Sequence, residues 1–227
     1  MPDALDLPLE SPEHASAQPD ASTPVAATRK RPKPGERRVQ ILQALASMLE
    51  QPGGERITTA ALAAKMDVSE AALYRHFASK AQMFEGLIEF IEQTVFSLVN
   101  QIVEREQADG AGDPGARQAV KIIAMLVQFA EKNPGMARVM VGDALVFEND
   151  RLIARMNQFF EKIEATLKQC LRDGATASES ATPTVDAQVR ASVLSAFVGG
   201  RLQRFVRSGY KRLPSEHLDA SLRVLLG

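Results

Sequence analysis

An all-α fold is the class this sequence predicts, and three observations predict it. Apolar residues recur at helical spacing through most of the chain. A run of helix starts between residues 57 and 82 carries capping side chains. No segment sustains the strict alternation of apolar and polar residues that a half-buried strand requires.

The elements follow in order. Residues 1–34 are rich in Pro, Ala, Ser and Asp and poor in large apolar groups. Such a segment buries too little surface to offset its ordering entropy, so it reads as a disordered tail ending in a basic arm, Arg29–Lys33. From Glu36 the period becomes helical, with Ile41, Leu42, Leu45, Met48 and Leu49 on one face and Pro52-Gly53-Gly54 as the stop. Thr58 caps a short helix that ends near Met66-Asp67, with Ile57 and Leu62 as a hydrophobic staple. Ser69 repeats the device, with Val68 stapled to Leu73, and opens a third helix over Glu70 to about Phe77. Ser79 caps the fourth helix, with Gln82 completing a capping box, and Lys80 to about Glu106 carries the stripe Phe84, Leu87, Ile88, Ile91, Val95, Leu98 and Ile102. After the loop 109–115, helices are predicted over about 116–132, 136–147 and 150–172. A loop over 173–184 then precedes the last two helices, about 185–209 and 215–226.

Charge is unevenly placed along a chain whose net charge is −1. Asp3, Asp6, Glu10, Glu13 and Asp20 stand in residues 1–28 with no Lys or Arg. Residues 29–80 hold ten Lys/Arg against five Asp/Glu, and the rest is near neutral. A basic module between an acidic tail and a neutral body points to a polyanionic partner.

That module has the form of a helix-turn-helix. Two short capped helices follow a longer amphipathic one in RITTAALAAKMDVSEAALYRHFASK (56–80). The second helix would enter the DNA major groove by its N-terminal end while the first crosses the backbone. Thr58, Thr59 and Ser69 stand at helix N-termini, where hydroxyls and backbone N–H groups meet phosphates. Ala71 and Ala72 are small enough to approach base edges, and a methyl can touch thymine. Tyr74, His76 and Lys80 add phosphate contacts, Arg38 on the first helix joins them, and Glu70 is a candidate base contact or a partner of the helix dipole. Leu62, Leu73 and Phe77 are spaced to fill the small core.

The pattern LxxxxxVSxxxLYRHFxSK resembles the DNA-binding signature of the TetR-family regulators. The resemblance covers about residues 36–95, and the all-helical remainder agrees in size and helix count. It implies a three-helix DNA-binding head (35–80), a helical dimerisation and partner-binding body (81–227) and a homodimer bound to double-stranded DNA. A closer resemblance in 69–92, 133–152 and 205–214 is to a divergent branch of that family. It implies a dimer on scattered chromosomal sites that acts, while DNA-bound, on the tubulin-like division protein FtsZ and blocks septum assembly over the nucleoid. Phe90, off the core stripe of its helix, and Lys132 and Asn133, at a helix end an acidic tail could reach, are the body residues selected for that partner. The acidic extension 1–28 departs from the short basic start usual in this branch.

The penultimate helix is apolar nearly all round, so it requires cover on two sides, by its own body and by something else. The homodimer is expected through the last two helices, with Val189, Val193, Ala196, Phe197, Gly200 and Phe205 as the candidate contacts. A two-fold dimer would set two recognition helices about 34 Å apart, one turn of DNA. The alternative use of the body is a ligand pocket lined by Met125, Phe129, Met156 and Phe160, as in a ligand-responsive repressor.

Other classes find little support. One cysteine excludes an intrachain disulfide framework and a zinc site on paired cysteines. Without Trp, and with 5% aromatics, a base-stacking RNA platform is not expected. His14, His76 and His217 are scattered, and no P-loop, GxGxxG, GxSxG or HExxH is present, so no enzyme, cofactor or metal is expected. No apolar run is long enough to cross a bilayer, and the first residues are acidic, unlike a basic signal segment. A cytoplasmic, nucleoid-associated protein is the expectation.

Overall fold

The computed structural model describes residues 35–51, 57–108, 113–177 and 181–226, with side chains described except in 174–177. The predicted tail 1–34, its basic arm and the stop at Pro52-Gly53-Gly54 lie outside these residues. Every regular element described is helical: α1 (Glu36–Leu49), α2 (Thr59–Lys65), α3 (Glu70–Tyr74), α4 (Lys80–Ala108), α5 (Pro114–Lys132), α6 (Pro134–Met140), a 3₁₀ turn (Asp143–Leu145), α7 (Asp150–Ala177), α8 (Pro183–Arg207) and α9 (Leu218–Leu226).

The capping logic is visible atom by atom. Thr58 Oγ1 accepts from the Ala61 N–H at 3.1 Å, and Ser69 Oγ accepts from the Ala72 N–H at 3.3 Å. Ser79 Oγ accepts from the Gln82 N–H at 3.1 Å, while Gln82 Oε1 reaches back to the Ala78 N–H at 2.9 Å, one residue earlier than the usual box. Between α2 and α3 the chain turns at Asp67, whose φ is 54°. Asp tolerates this left-handed conformation better than most residues because its short side chain bonds locally.

Several predicted boundaries need correction. α3 ends at Tyr74, three residues early, because the chain tightens into turns closed by the His76 and Phe77 N–H groups on the Leu73 carbonyl. The helix predicted over 136–147 is broken: α6 stops at Met140, Gly142 takes φ 79°, and a 3₁₀ turn follows. α7 runs on to Ala177, through Gly174, so the loop predicted from 173 starts later; a glycine costs a helix about 1 kcal/mol without ending it. α9 begins at Leu218, after His217 at φ 55°.

α5 sits in the middle of the body, packed on α4, α7, α8, α6 and α9, and α7 with α8 forms the most extensive helix pair. Ile122, Ile123, Leu126 and Val127 on α5 meet Leu87, Ile91, Phe159, Leu194 and Val198 in one continuous core. Each such aliphatic side chain contributes roughly 1.5–3 kcal/mol by leaving water. α1 crosses α6 at backbone distance: a Cβ on Gly135 would lie 2.0 Å from the Ala46 carbonyl oxygen, so only glycine allows the approach. At the end of α4, buried Glu106 receives Arg117 Nε at 3.1 Å and the Lys121 ammonium, tying α4 to α5.

One face of α8 has no cover among the described residues. Val185, Val189 (57% exposed), Val193, Ala196 and Gly200 recur at helical spacing on it, and a Cβ on Gly200 would meet open space. Phe197 is half-buried under the Arg201 guanidinium, 4.5 Å from its ring centre. Phe205, expected at a dimer contact, is 1% exposed and packs inward with its ring 5.2 Å from Tyr210. It belongs to the core of its own chain.

Candidate nucleic-acid interface

The groups that would face DNA are set by α1 to α3 and the start of α4. Leu62, Leu73 and Phe77 are buried, as their spacing predicts, and they lock α2 and α3 onto Ile41 and Leu45 of α1. With those side chains inside, the N-terminal turn of α3 is turned outward: Ser69, Glu70, Ala71 and Tyr74 are exposed, and Ala72 is half-buried.

A short polar chain joins the two helices. Thr59 Oγ1 donates to Glu70 Oε2 at 2.6 Å, and the Tyr74 hydroxyl donates to Thr59 Oγ1 at 3.4 Å. Glu70 is thus held toward the start of α2, and Tyr74, 44% exposed at the end of α3, reaches the same Thr59. Since the Thr58 and Ser69 oxygens are occupied by capping, a phosphate there would meet hydroxyl protons and backbone N–H groups at the positive ends of two helix dipoles.

Arg38 and Lys80 sit differently from the sequence expectation. The Arg38 guanidinium lies 4.1 Å from the centre of the Phe77 ring and donates through Nη1 to the His76 carbonyl at 2.5 Å. It clamps the end of the α3 segment and leaves the rest of its fork to solvent. Lys80 is drawn toward the body: its ammonium pairs with Glu148, whose side chain is 9% exposed, and lies 5.6 Å from the Phe84 ring centre. A committed, largely covered cation is a poor free phosphate contact. His76 is half-buried, and its backbone carbonyl is the acceptor for Arg38.

The sequence reading passed over Arg75. It is exposed directly after α3 and carries no ion pair among the described residues. Its place between Tyr74 and His76, two candidate phosphate contacts in a basic segment, was the available signal.

Of the residues selected for a protein partner, Phe90 is 37% exposed on α4 and Lys132 is exposed at the end of α5. Asn133 is half-buried, and its Nδ2 donates to the Phe129 carbonyl at 2.7 Å, closing the C-terminus of α5. The proposed ligand-pocket side chains are packed: Met156 is buried, Met125, Phe129 and Phe160 pack against the core, and Phe160 meets Phe159 edge-on at 5.1 Å.

Comparison with known proteins agrees with this geometry. Residues 41–87 match the family of bacterial regulatory proteins of the tetR family, and residues 117–226 match the tetracyclin repressor-like C-terminal domain of the SlmA-like type. The nucleoid occlusion factor SlmA of Idiomarina loihiensis is 50% identical over 189 residues, covering 83% of this chain and 93% of that one. Its counterpart in Colwellia psychrerythraea is 46% identical over 202 residues, covering 89% and 98%. Among solved structures, the regulator FadR of Bacillus subtilis, in complex with stearoyl-CoA, superposes with a TM-score of 0.66 at 15% identity, over 83% of this chain and 97% of that one. FadR of Bacillus halodurans gives 0.64 at 18%, over 85% and 96%. These two likenesses show the fold, while the identity to the relatives spans the head and the body together. The chain belongs to the TetR family and, within it, to the nucleoid occlusion factors of the SlmA type.

Proposed function

We propose that this chain works as a homodimer on chromosomal DNA and, in that state, antagonises FtsZ assembly so that no septum forms over the nucleoid. The observation that carries the reading is the identity of about one residue in two with SlmA proteins over 83% to 89% of this chain. Three physical features support it. The outward turn of α3, with Ala71, Ala72, Tyr74 and Arg75, suits entry into a major groove. The uncovered stripe on α8 suits a second copy, since a two-fold interface is the commonest way to cover such a face. Phe90 on α4 and Lys132 on α5 offer an apolar anchor and a cation to an acidic peptide. Among the described residues no helix is long and apolar enough to cross a membrane, and the reading places the protein in the cytoplasm at the nucleoid.

The test is sedimentation of purified FtsZ polymers with GTP, with the chain alone and with the chain plus a duplex that it selects from a random-sequence pool. Loss of polymer that requires the selected duplex supports the reading. Unchanged polymer in both conditions, together with a small molecule that releases the chain from its duplex, replaces it with a ligand-responsive repressor.

A further inference from the structure

The C-terminal end of α1 is held by the body, and by unusual means. An α-helix leaves its last four carbonyls without intrahelical partners, and α1 has no basic residue in its last turn to serve them. The donors come from far along the chain. The Tyr210 hydroxyl donates to the Leu49 carbonyl at 3.1 Å, and Arg138 Nη1 donates to the same carbonyl at 3.2 Å and to that of Gln51 at 3.5 Å.

Both donors are themselves constrained. Arg138 Nε bonds Asp143 Oδ2 at 2.7 Å, and its side chain is 14% exposed. Tyr210 stands at φ 66°, three residues past the end of α8, with its N–H on the Phe205 carbonyl at 3.0 Å and its ring against Phe205. Burial pushes its hydroxyl above the ordinary tyrosine range. Beside this clamp Gly135 lets α6 touch the α1 backbone. At the other end of α1, Arg38 grips Phe77 and the His76 carbonyl at the close of the α3 segment.

We infer that Tyr210 and Arg138 are positioning residues for DNA recognition: they fix α1 as a lever that transmits the placement of α8 to the recognition helix, and so set which half-site spacing the dimer accepts. The path is continuous in the chain's contacts, from α8 through Tyr210 to Leu49, along α1 to Arg38, and on to α3. None of its carriers is expected to touch DNA through the clamp itself. This rests on the reading of the chain as a DNA-binding dimer, and it predicts a change in spacing tolerance where a contact residue would change overall affinity.

The experiment uses the full chain, a duplex selected by the wild-type protein, and versions of that duplex with the half-sites moved one or two base pairs closer or further apart. Wild-type affinity for the selected duplex over a random duplex tests the underlying reading first; if the two are bound alike, that reading fails and the clamp is not at issue. Given selective binding, Tyr210→Phe and Arg138→Gln should each lower the preference for the native spacing by about threefold to tenfold, the worth of one hydrogen bond, by weakening the native-spacing complex and relaxing the altered ones. Affinity for random duplex and the dimer dissociation constant should stay near wild type, and the melting temperature of Tyr210→Phe should fall by no more than about 4 °C, the cost of that one bond. Arg138→Lys, which keeps the charge beside Asp143, should restore part of the preference. An unchanged spacing profile in both variants overturns the proposal. So does a loss shared equally by all spacings, because that is the signature of a weakened fold or a lost contact.

Discussion

At the scale of single residues, the interface divides into side chains that build it and side chains left free to use it. Thr59 and Glu70 bond each other, Arg38 clamps Phe77, and Lys80 is paired with Glu148, so four of the polar groups near the recognition helix are already engaged. Arg75 is exposed with no ion pair among the described residues, and Tyr74, though its hydroxyl donates to Thr59 at 3.4 Å, is 44% exposed; the two differ in charge. A phosphate contact from a neutral hydroxyl releases no counterion, whereas one from a guanidinium does. Arg75→Ala should therefore weaken every duplex and reduce the slope of log affinity against log salt by about one. Tyr74→Phe should weaken every duplex by roughly threefold to tenfold and leave that slope alone. Titration of the selected and random duplexes at several salt concentrations checks both; equal slopes for Arg75→Ala and wild type would remove Arg75 from the contact set.

At the scale of elements, two predictions concern how helices are joined. Glu106 fastens α4 to α5, and its carboxyl is held below the ordinary value of 4.5 by the Lys121 hydrogen bond first and by Arg117 after it, against the opposing effect of its own burial. A lowered carboxyl stabilises the fold above its unfolded value, and that contribution is lost as pH falls through the folded value. Melting temperatures of wild type and Glu106→Gln should thus differ at pH 7 and converge below pH 4.5. A gap that stays constant with pH would assign the effect to shape instead of charge. On α8, Val193→Arg places a charge in the uncovered stripe and should leave a folded monomer in sedimentation equilibrium at micromolar concentration; a normal dimer would move the interface elsewhere. Much of this was legible in the sequence. Thr58, Ser69 and Ser79 announce three helix starts through local chemistry, and Val189, Val193 and Gly200 announce an uncovered face through period. The clamp of Tyr210 and Arg138 on Leu49 was not legible, because a carbonyl served across 161 positions leaves no local pattern. Phe205 and Val189 look alike in a helix that is apolar all round, and only packing against Tyr210 separates the inner residue from the outer one. Asn133 read as a helix terminus, correctly, but its amide is spent on the Phe129 carbonyl, which period cannot reveal.

At the scale of the whole molecule, a small head accounts for DNA contact, and the larger helical body must be explained by dimerisation and by what it presents to a partner. The uncovered stripe on α8 is the proposed surface for the first. For the second, Phe90 and Lys132 are the strongest of the selected residues, because each is exposed while the helix carrying it is anchored. Phe90 lies on α4 at the flank of a buried run that includes Leu87, Ile88 and Ile91, and Lys132 ends α5 just beyond buried Ala130. Their removal should leave the fold intact at a cost of about 1–2 kcal/mol, since the Phe90 ring is only partly covered and Lys132 loses a favourable place at the C-terminus of α5. Losing the aromatic ring removes an anchor of the kind that dominates interfaces, and reversing Lys132 repels an acidic peptide. Phe90→Ala combined with Lys132→Glu should therefore keep wild-type affinity for the selected duplex and a wild-type dimer, and should no longer reduce sedimentable FtsZ polymer in the presence of that duplex. Overexpression of the double variant should permit division where the wild type arrests it. If the double variant still disperses FtsZ polymers as the parent does, these helices are not the docking surface, and the partner must engage a part of the body that neither residue reaches.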